Sequence, residues 1–349
     1  MRVLHAAAEI AAQAGVLAEA LRRVGVEAES WAYNAEYNAF PSDRALGYDA
    51  RPVLARLLGY LRTTIEAAGR FDLLHVHFGR SLFPPWLLDL PLHAAFGTPM
   101  VFHFHGCEVR NRLHMLHTYE RAACTECEPF CEPARQRRLL SLSRRYGRWT
   151  LVSTPDLLDS VPEAEYFPVA VDVERWSPLA DSAWRPSSAG QLRVLHAPTN
   201  RLIKGTRHVE AAVEAARRRR PGITLELLER VSWQTLREGM RHADAVVDQL
   251  FLGWIGSCAV EAMSLEKPVL GYLRPDLEAR ELDLPLVRVD SVESLANALV
   301  ALADDPARRA RLGQEGRAYV AREHSPERLA RRLAQRYETL VKGTARASA

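Results

Sequence analysis

Short runs of apolar residues alternate with amphipathic stretches along the first half of the chain. Arg2–Ala6 has the pattern of a buried strand, the small residues around Gln13–Gly15 favour a loop, and Leu17–Val24 has helical spacing. The same order recurs with strand patterns at Glu27–Ala32, Asp72–Phe78, Met100–Phe104 and Trp149–Ser153, and helix patterns at Val53–Ala67, Trp86–Ala95 and Ala134–Tyr146. This alternation predicts an α/β domain whose parallel sheet is covered by helices on both faces.

A second series of the same kind follows residue 191. Its strand patterns are Leu192–Ala197, Ile223–Leu228, Ala245–Asp248, a run that opens at Pro268, and Pro285–Val289, and its helix patterns are Arg207–Arg219, Trp233–His242 and Val292–Leu302. Asp304-Asp305-Pro306 then caps a basic helix that runs to about Ala321, and Pro326–Val341 is amphipathic. The second half therefore predicts another doubly wound domain.

The domain boundaries are predicted from the stretch Tyr166–Gln191, where helical periodicity lapses and Pro, Ser, Asp and Trp accumulate. We expect an N-terminal domain over 1–168, which contains a cysteine-rich insertion at 107–131, and a linker over 169–191. A C-terminal domain over 192–324 follows. The final helix, over 325–349, is expected to pack back on the N-terminal domain.

The most informative stretch is Ala243–Tyr272. It reads as a buried strand, a loop containing Gly253 and Gly256, a helix that carries Glu261 in its first turns, and a second buried strand. The first N–H groups of a helix lack partners inside the helix and favour anions, and loop glycines allow a ligand to approach the backbone closely. This order of elements predicts a site for a phosphate-bearing ligand.

Composition narrows the class of protein. The chain has 349 residues, of which 48% are hydrophobic and 26% charged, as in soluble proteins with two ordinary domains. A formal net charge of +3 is too small to indicate a nucleic-acid partner. Glu9 interrupts the apolar region that a signal peptide would need, and no apolar stretch is long enough to cross a bilayer. We therefore expect a cytoplasmic protein.

Four cysteines crowd into the insertion with the spacing C-x16-C-x2-C-x3-C. They are Cys107, Cys124, Cys127 and Cys131, and His114 and His117 lie nearby as spare ligands. This is the ligand type and close spacing of a tetrahedral structural zinc site, and a reducing compartment favours a metal over disulfides. Free thiols or a redox pair are the alternatives.

Two motifs carry a family resemblance. HAPTNRLIKGT (His196–Thr206) and GWIGSCAVEAMSLEKPVLGY (Gly253–Tyr272), supported by HVHFG, FHFHG and STPDLL in the first half, resemble the retaining GT-B glycosyltransferases of the large family 4-like group. The resemblance implies a GT-B fold, in which two Rossmann-like domains face each other across a cleft. It also implies transfer of a sugar, with retention, from a UDP- or GDP-sugar to a sugar or lipid-linked acceptor, in cell-surface polysaccharide or glycoconjugate synthesis.

The resemblance assigns roles to particular residues. Arg201 and Lys204 leave a strand end before Gly205, so they can converge on a diphosphate and form the donor clamp in place of a catalytic metal. Glu261 is implied to accept hydrogen bonds from the ribose hydroxyls. The predicted donor-binding residues are Gly15, Asn200, Arg201, Lys204, Gly205, Gly253, Trp254, Ile255, Gly256, Ser257 and Glu261. The predicted catalytic residues are His105, Arg201 and Lys204.

His105, at the end of FHFHG, matches the histidine that such enzymes place beside the transferred sugar. Buried histidines at strand ends are also frequently structural, and His75, His77 and His103 alternate with it on nearby strands. Both interpretations stay open at this point.

The chain departs from the family at Gly253, where the first carboxylate of the usual E-x7-E pattern would grip the donor sugar. Three interpretations follow. Backbone N–H groups and Trp254 read the sugar with help from Asp248 or Gln249, or the donor differs from the common hexoses, or activity has been lost. Two other functions are therefore kept as hypotheses: a catalytically silent GT-B binding or assembly subunit, and a GT-B nucleotide-sugar epimerase or hydrolase.

The last helix is basic and amphipathic. It is a candidate for peripheral contact with the inner face of a membrane that carries a lipid-linked acceptor. The alternative is that it packs back across the domain junction.

Overall fold

The computed structural model describes residues 1–33, 40–47, 51–84, 86–127, 131–178, 187–280 and 283–347. The chain divides into two compact units. Unit 1 comprises Met1–Asn111, Cys131–Ala170 and Pro326–Ala349, and unit 2 comprises Arg112–Phe130 and Val171–Ser325.

The strands and helices of both units follow in chain order. The strands are β1 (Arg2–Ala7), β2 (Glu27–Ala32), β3 (Arg44–Ala45), β4 (Leu73–His77), β5 (Met100–Phe104), β6 (Gly147–Val152), β7 (Glu165–Tyr166), β8 (Gln191–His196), β9 (Gly222–Leu227), β10 (Ala245–Val247), β11 (Val269–Gly271) and β12 (Leu286–Arg288). The α-helices are α1 (Gln13–Arg23), α2 (Val53–Arg70), α3 (Asp89–Ala95), α4 (Arg112–Thr118), α5 (Ala123–Glu126), α6 (Pro133–Tyr146), α7 (Arg201–Lys204), α8 (Thr206–Arg219), α9 (Trp233–His242), α10 (Ser257–Ser264), α11 (Pro275–Glu278), α12 (Val292–Asp304), α13 (Pro306–Glu323) and α14 (Pro326–Ala347).

Unit 1 is built on a parallel sheet with the strand order β3-β2-β1-β4-β5-β6-β7. Side chains alternate between its faces, so Leu74, Phe102 and Phe104 point to one apolar core and Leu73 and Val101 point to the other. The first core lies under α2, α3 and α6, and the second lies under α1 and α14. The sheet is therefore covered on both faces, as the alternating pattern predicts.

Unit 2 is built on a parallel sheet with the strand order β12-β11-β10-β8-β9. One face buries Val194, Val247 and Leu270 against α8 and α12. Helices α9 and α10 contact the strands as well, and α13 packs on α10 through the close approach of Gly316 to Met263. Because every pairing is parallel, the carboxyl ends of these strands lie at one edge of the sheet.

The insertion 107–131, predicted to belong to the N-terminal domain, is divided between the units. Residues 112–130 group with unit 2, because Ala123 lies in the same apolar core as Leu250 and Phe251, and Glu126 pairs with Arg207. Nothing in the cysteine spacing encodes this association, so the domain prediction is corrected here.

Two further features concern the ends of unit 1. The final helix α14 packs on α1, and Arg23 donates to Glu327 over 2.8 Å.

The predicted loop around Gln13–Gly15 is wrong, since these residues open α1. The carboxylate of Glu9 accepts hydrogen bonds from the N–H groups of Ala14 and Gly15 and so starts the helix earlier. None of the helices in the described ranges is both long and apolar enough to cross a bilayer.

Candidate functional site

A lysine, an aspartate and a glutamine meet at the N-terminus of α10 in unit 2. Asp248 and Gln249 directly follow β10, and Lys204 ends α7. The Lys204 Nζ atom donates to Asp248 Oδ1 over 3.1 Å and to Gln249 Oε1 over 2.5 Å. Asp248 Oδ2 accepts from the N–H of Gly256 over 2.7 Å. One lysine cation is therefore fixed beside the first N–H groups of α10, which is the arrangement that favours an anion.

Local contacts of the KGT motif (Lys204–Thr206) and the residues before it fix the position of Lys204. Asn200 caps α7, because its side chain accepts from the N–H groups of Leu202 and Ile203 over 3.0 and 3.1 Å. Gly205 has φ +78, and a Cβ at this residue would lie 2.7 Å from the ring of Phe251. Only glycine allows both the left-handed turn and this close approach. Asn200 and Gly205 thus hold the lysine-bearing turn against the loop that follows β10.

His196, at the end of β8, ties these elements together. Its ring bonds to the carbonyl oxygen of Val247 over 2.8 Å and to the hydroxyl of Thr206 over 3.0 Å. Burial lowers the pKa of His196 to about 4, so the ring is neutral at pH 7. A neutral imidazole can donate to the carbonyl and accept from the threonine, which fixes α8 to the sheet edge.

Glu261 lies buried in α10 beneath this cluster, with 4% of its surface exposed. Burial raises its pKa to about 8, the negative charge of Asp248 adds to the rise, and Lys204 opposes it. At pH 7 the carboxyl group is therefore held mainly in its neutral form, able to donate one hydrogen bond and accept others. Its contact with ribose hydroxyls stays a prediction.

Arg201 has different partners from Lys204. Its guanidinium makes a two-point ion pair with Glu229, with donor–acceptor distances of 2.8 and 2.9 Å, and lies 3.5 Å from Glu210. The arginine side chain is 49% exposed. The structure therefore places the two predicted clamp cations with separate acids, and their joint action on a diphosphate stays a prediction.

The loop between β10 and α10 explains why an acid is missing at residue 253. Gly253 has φ +76, and a Cβ there would lie 2.8 Å from the Cβ of Arg274. A glutamate would be strained by the backbone and obstructed by the arginine stem. Trp254 and Ile255, predicted to contact the donor, are 1% and 4% exposed. Their side chains form the support of the loop.

The segment 112–127 packs beside this loop, which the sequence motifs did not reveal. The guanidinium of Arg121 lies 5.8 Å from the ring centroid of Phe251 and 5.3 Å from that of Tyr272. The guanidinium of Arg274 lies 4.0 Å from the ring centroid of Tyr119. Cation–π contacts of this kind hold the insertion on unit 2. No pattern in the sequence marks Arg121 or Tyr119 for this role.

In unit 1, His105 lies just past the end of β5. Its Nε2 is 3.1 Å from Nδ1 of His77, and burial lowers the pKa of His105 to about 3. Glu108 accepts a hydrogen bond from the N–H of His105, and burial raises the pKa of Glu108 to about 7. A carboxyl group with such a pKa can act as an acid or a base near neutral pH. Sequence motifs did not single out Glu108, although it follows FHFHG by two residues.

Gly15, predicted to admit the donor diphosphate, is already surrounded by protein groups. Its N–H donates to Glu9 over 2.9 Å, and a Cβ would lie 2.7 Å from the carbonyl oxygen of Pro41. The close approach of Pro41 is sufficient reason for a glycine here. The N-terminus of α1 is thus occupied by the chain's own carboxylate, that of Glu9.

The four insertion cysteines belong to different units, Cys107 and Cys131 to unit 1 and Cys124 and Cys127 to unit 2. Cys107 Sγ accepts from Arg110 over 3.2 Å in unit 1, and Cys127 Sγ accepts from Arg112 over 3.6 Å in unit 2. Within the described ranges, the side-chain groups close enough to share a metal ion are two sets of histidines, and neither contains a cysteine. Zinc at the cysteines therefore stays a prediction.

Comparison with known proteins adds the fold. No family model matches the sequence, and no curated protein matches it. The structure is similar to sucrose-phosphate synthase from Thermosynechococcus elongatus, with a TM-score of 0.70 and 16% identity over 98% of this chain and 99% of that chain. It is also similar to AviGT4, a glycosyltransferase involved in avilamycin A biosynthesis, with a TM-score of 0.58 and 14% identity over 98% of both chains.

A third similar structure is a putative UDP-N-acetylglucosamine 2-epimerase from Listeria monocytogenes, with a TM-score of 0.58 and 13% identity over 95% of this chain and 94% of that chain. Identities this low show the fold alone. The predicted α/β class and GT-B fold are confirmed. Membership of the family 4-like group and retention of configuration stay predictions.

Proposed function

We propose that the protein is a glycosyltransferase that moves a sugar from a nucleotide-sugar donor to an acceptor. The observation that carries the proposal is the cluster at the N-terminus of α10. There Lys204 is held by Asp248 and Gln249, and Glu261 is buried beneath it. A fixed cation beside free helix N–H groups suits a diphosphate, and a buried carboxyl group suits a ribose diol.

The donor diphosphate would bind Lys204 and the N–H groups of Ser257 and Cys258 at the start of α10. Arg201 would leave Glu229 and join the phosphate. Because that ion pair is exposed to solvent, replacing the Glu229 carboxylate by a phosphate costs little free energy. The two cations would then neutralise the charge that grows on the phosphate as the sugar leaves.

We further propose that transfer proceeds with retention. The departing phosphate would take the acceptor proton on the same face of the sugar, so the paired carboxylates of a glycosidase are not needed. His105 would contact the transferred sugar. The acceptor would be a sugar or a lipid-linked sugar in surface polysaccharide or glycoconjugate synthesis. A basic α14 would give a peripheral membrane contact, which vesicle flotation of the full chain tests.

The sugar would be read without an acid at residue 253. The close approach of Arg274 and the left-handed backbone exclude a carboxylate side chain at this position. Backbone groups of the loop, together with Asp248 or Gln249, would supply the remaining hydrogen bonds. The proposal therefore includes a sugar-binding mode that differs from the family's usual one.

A donor panel tests the activity. The full chain would be incubated with UDP-, GDP- and CMP-sugars, with and without sugar acceptors, and products followed by NMR, which also reports anomeric configuration. The proposal predicts acceptor-dependent release of the nucleoside diphosphate. Binding without any turnover would instead support a silent binding or assembly subunit.

One observation favours a nucleotide-sugar epimerase or hydrolase as the second candidate. Glu108 in unit 1 is a carboxyl group with a pKa raised by burial to about 7, which suits acid/base chemistry. Turnover of the donor in the absence of acceptor, lost in Glu108→Gln, would support this alternative over transfer.

Structural zinc at Cys107, Cys124, Cys127 and Cys131 is proposed on their spacing. Metal analysis of protein purified without added metal tests it. About one equivalent of zinc, lost in the Cys124→Ser/Cys127→Ser variant, is the expected result.

A further inference from the structure

A column of imidazoles lies on one face of the sheet of unit 1, under α1 and α14. Its members are His5 on β1, His75 and His77 on β4, His103 on β5 and His105 just beyond β5. The first four have no exposed surface, and His105 is half-buried. Burying polar nitrogens is unfavourable unless each finds a partner, so such a cluster demands a physical reason.

Hydrogen bonds account for only part of the column. His5 Nδ1 lies 2.9 Å from His77 Nε2, and His77 Nδ1 lies 3.1 Å from His105 Nε2. Nδ1 of His75 bonds to the hydroxyl of Tyr337. Among the residues that the structure describes, Nε2 of His5, Nε2 of His75 and both ring nitrogens of His103 are buried and have no hydrogen-bond partner.

Three of the imidazoles converge at the carboxyl edge of the sheet. His77, His103 and His105 each offer one nitrogen, and these nitrogens lie within 4.8 Å of one another. The ring centroids of His103 and His105 are 4.3 Å apart, and those of His77 and His105 are 5.3 Å apart. His105 is the half-buried member, so the group can be reached from the surface.

We propose that His77, His103 and His105, here called the histidine triad, bind a divalent transition-metal ion of the kind that imidazoles prefer, such as Zn²⁺ or Co²⁺. Metal–nitrogen bonds of about 2.0–2.1 Å in tetrahedral geometry place ligand nitrogens roughly 3.3 Å apart. The separation of 3.1 Å between His77 and His105 is close to this value. No two ligand nitrogens of the triad are more than 4.8 Å apart, so no pair needs to close by more than about 1.5 Å.

The neighbouring contacts supply the support that metal-binding histidines usually have. With Nδ1 of His77 on the metal, its Nε2–H donates to Nδ1 of His5 over the existing 2.9 Å. Ligating histidines typically donate their second N–H in this way, which fixes tautomer and ring orientation. With Nε2 of His105 on the metal, its proton resides on Nδ1. Only coordination bonds form, and no group is oxidised or transferred.

A second group, formed by His5, His75 and His77, also has ligand atoms within 4.8 Å of one another. It is the weaker candidate, because all three rings are fully buried and His75 already holds Tyr337. The histidine triad shares His77 with it, combines unpartnered nitrogens with access, and is therefore the site we assign.

Metal titration of the full chain tests the proposal. The protein would be stripped with EDTA and titrated with Co²⁺, using the Cys124→Ser/Cys127→Ser variant as background so that thiolate sites do not contribute. We expect one equivalent to bind with the visible spectrum of nitrogen-ligated tetrahedral Co²⁺. His103→Gln in that background should weaken binding by at least about 100-fold, a loss of the order found when a metal site loses a supporting group.

His93→Gln is the matched control. His93 is another buried histidine of unit 1 whose ring nitrogens have no partner among the described residues, but it lies on α3, outside the triad. It should retain full Co²⁺ affinity. Undiminished binding in His103→Gln, or no binding in the Cys124→Ser/Cys127→Ser background, would overturn the proposal.

X-ray absorption of the Zn²⁺-loaded wild-type chain gives a second reading that needs no variant. Three nitrogen ligands in the first shell support the triad, with or without a separate sulfur-ligated ion. A purely sulfur-ligated spectrum contradicts it. Because these readouts are independent of sugar transfer, the metal proposal and the proposed function can fail separately.

Discussion

The two sheets are built in the same way but bury different chemistry. In unit 1 the face under α1 and α14 carries a column of five histidines across β1, β4 and the end of β5. In unit 2 the face under α8 and α12 is aliphatic, and the buried titratable groups near its edge include a carboxyl group, Glu261. Burial keeps both kinds of group uncharged, but the uncharged histidine is the deprotonated form and the uncharged glutamate is the protonated form.

The stabilising contributions of the histidine column and of Glu261 therefore depend on pH in opposite directions. Burial lowers the pKa values of the histidines, so their neutral form is the folded form. Burial raises the pKa of Glu261, so its protonated form is the folded form. The histidine column should therefore lose its contribution to stability in acid, and Glu261 should lose its contribution in alkali.

The largest expected effect is acid lability from the histidine column in metal-free protein. As pH falls below 6.5 the histidines of the unfolded chain take up protons. In the folded chain burial lowers the pKa of His5 and of His105 to about 3 and also lowers the pKa values of His75, His77 and His103. The contribution of the histidines to the free energy of unfolding is thus fully present above about pH 6.5. It is lost as pH falls, by at most about 1.4 kcal/mol per pH unit for each histidine. Urea unfolding in EDTA at pH 7.5, 6.5 and 5.5, in a Glu108→Gln/Glu261→Gln background so that these two buried carboxyl groups do not offset the effect, should show losses of several kcal/mol in total.

Replacing one member sharpens this test. His103→Leu should reduce the pH slope by about one proton's worth, roughly 1.4 kcal/mol per pH unit at most. His117→Leu, at an exposed position on α4, should leave the slope unchanged. Equal pH slopes with and without His103 would contradict an acid-labile histidine column.

The next effect is alkaline and belongs to Glu261. The folded protein keeps its proton up to about pH 8, whereas the unfolded carboxyl loses it near 4.5. Stability is therefore present at low pH and lost as pH rises through this window. Glu261→Gln removes this titration. Between pH 6 and pH 8 the free energy of unfolding of wild type should therefore fall by roughly 2 kcal/mol relative to that of the variant. Thermal unfolding of both proteins, with exposed Glu266→Gln as control, measures this; identical pH profiles would count against a buried proton at Glu261.

A smaller effect concerns the loop of unit 2. Gly253→Glu, which would place an acid where the family that the sequence resembles has one, should destabilise the protein by about 1–3 kcal/mol because the residue has a positive φ and the arginine stem obstructs its Cβ. Gly47→Glu has a positive φ as well but nothing within 4 Å of its Cβ, so it isolates the contribution of the backbone. Equal losses in the two variants would show that Arg274 contributes nothing.

The smallest effect on stability is expected at Arg201. Its ion pair with Glu229 is exposed, so Arg201→Gln should leave the free energy of unfolding nearly unchanged. The same change should weaken nucleoside diphosphate binding if Arg201 joins the clamp. Unfolding and calorimetric titration of one preparation separate the two roles, and unchanged affinity would remove Arg201 from the clamp.

Much of the fold was predictable because strand and helix periods are local properties of the sequence. The strand patterns Glu27–Ala32 and Met100–Phe104 match β2 and β5, and Asp305 caps α13 as its position before a proline indicates. The short edge strands β3 and β7 have too few residues to show a period. The start of α1 depends on the distant carboxylate of Glu9, which no helical pattern contains.

The candidate site divides in the same way. The KGT motif and the glycine loop are each a continuous stretch of sequence, and each follows a strand. The meeting of Lys204 with the start of α10 could therefore be expected from the strand order. The anchoring of Lys204 by Asp248 and the neutral state of Glu261 depend on burial and on distances that only the folded chain defines. The packing of Arg121 on Phe251 joins segments far apart in sequence, and no motif encodes it.

Calorimetric titration of UDP and GDP into wild type, Lys204→Gln and the exposed control Lys342→Gln tests the central claim most directly. Circular dichroism would establish that each variant is folded. The proposed donor site predicts that wild type and Lys342→Gln bind one of these nucleotides alike. Lys204→Gln should bind it about 30- to 150-fold more weakly, as expected for loss of a charge-assisted contact of roughly 2–3 kcal/mol. Equal affinity in Lys204→Gln and wild type would contradict the assignment of the α10 N-terminus as the donor site.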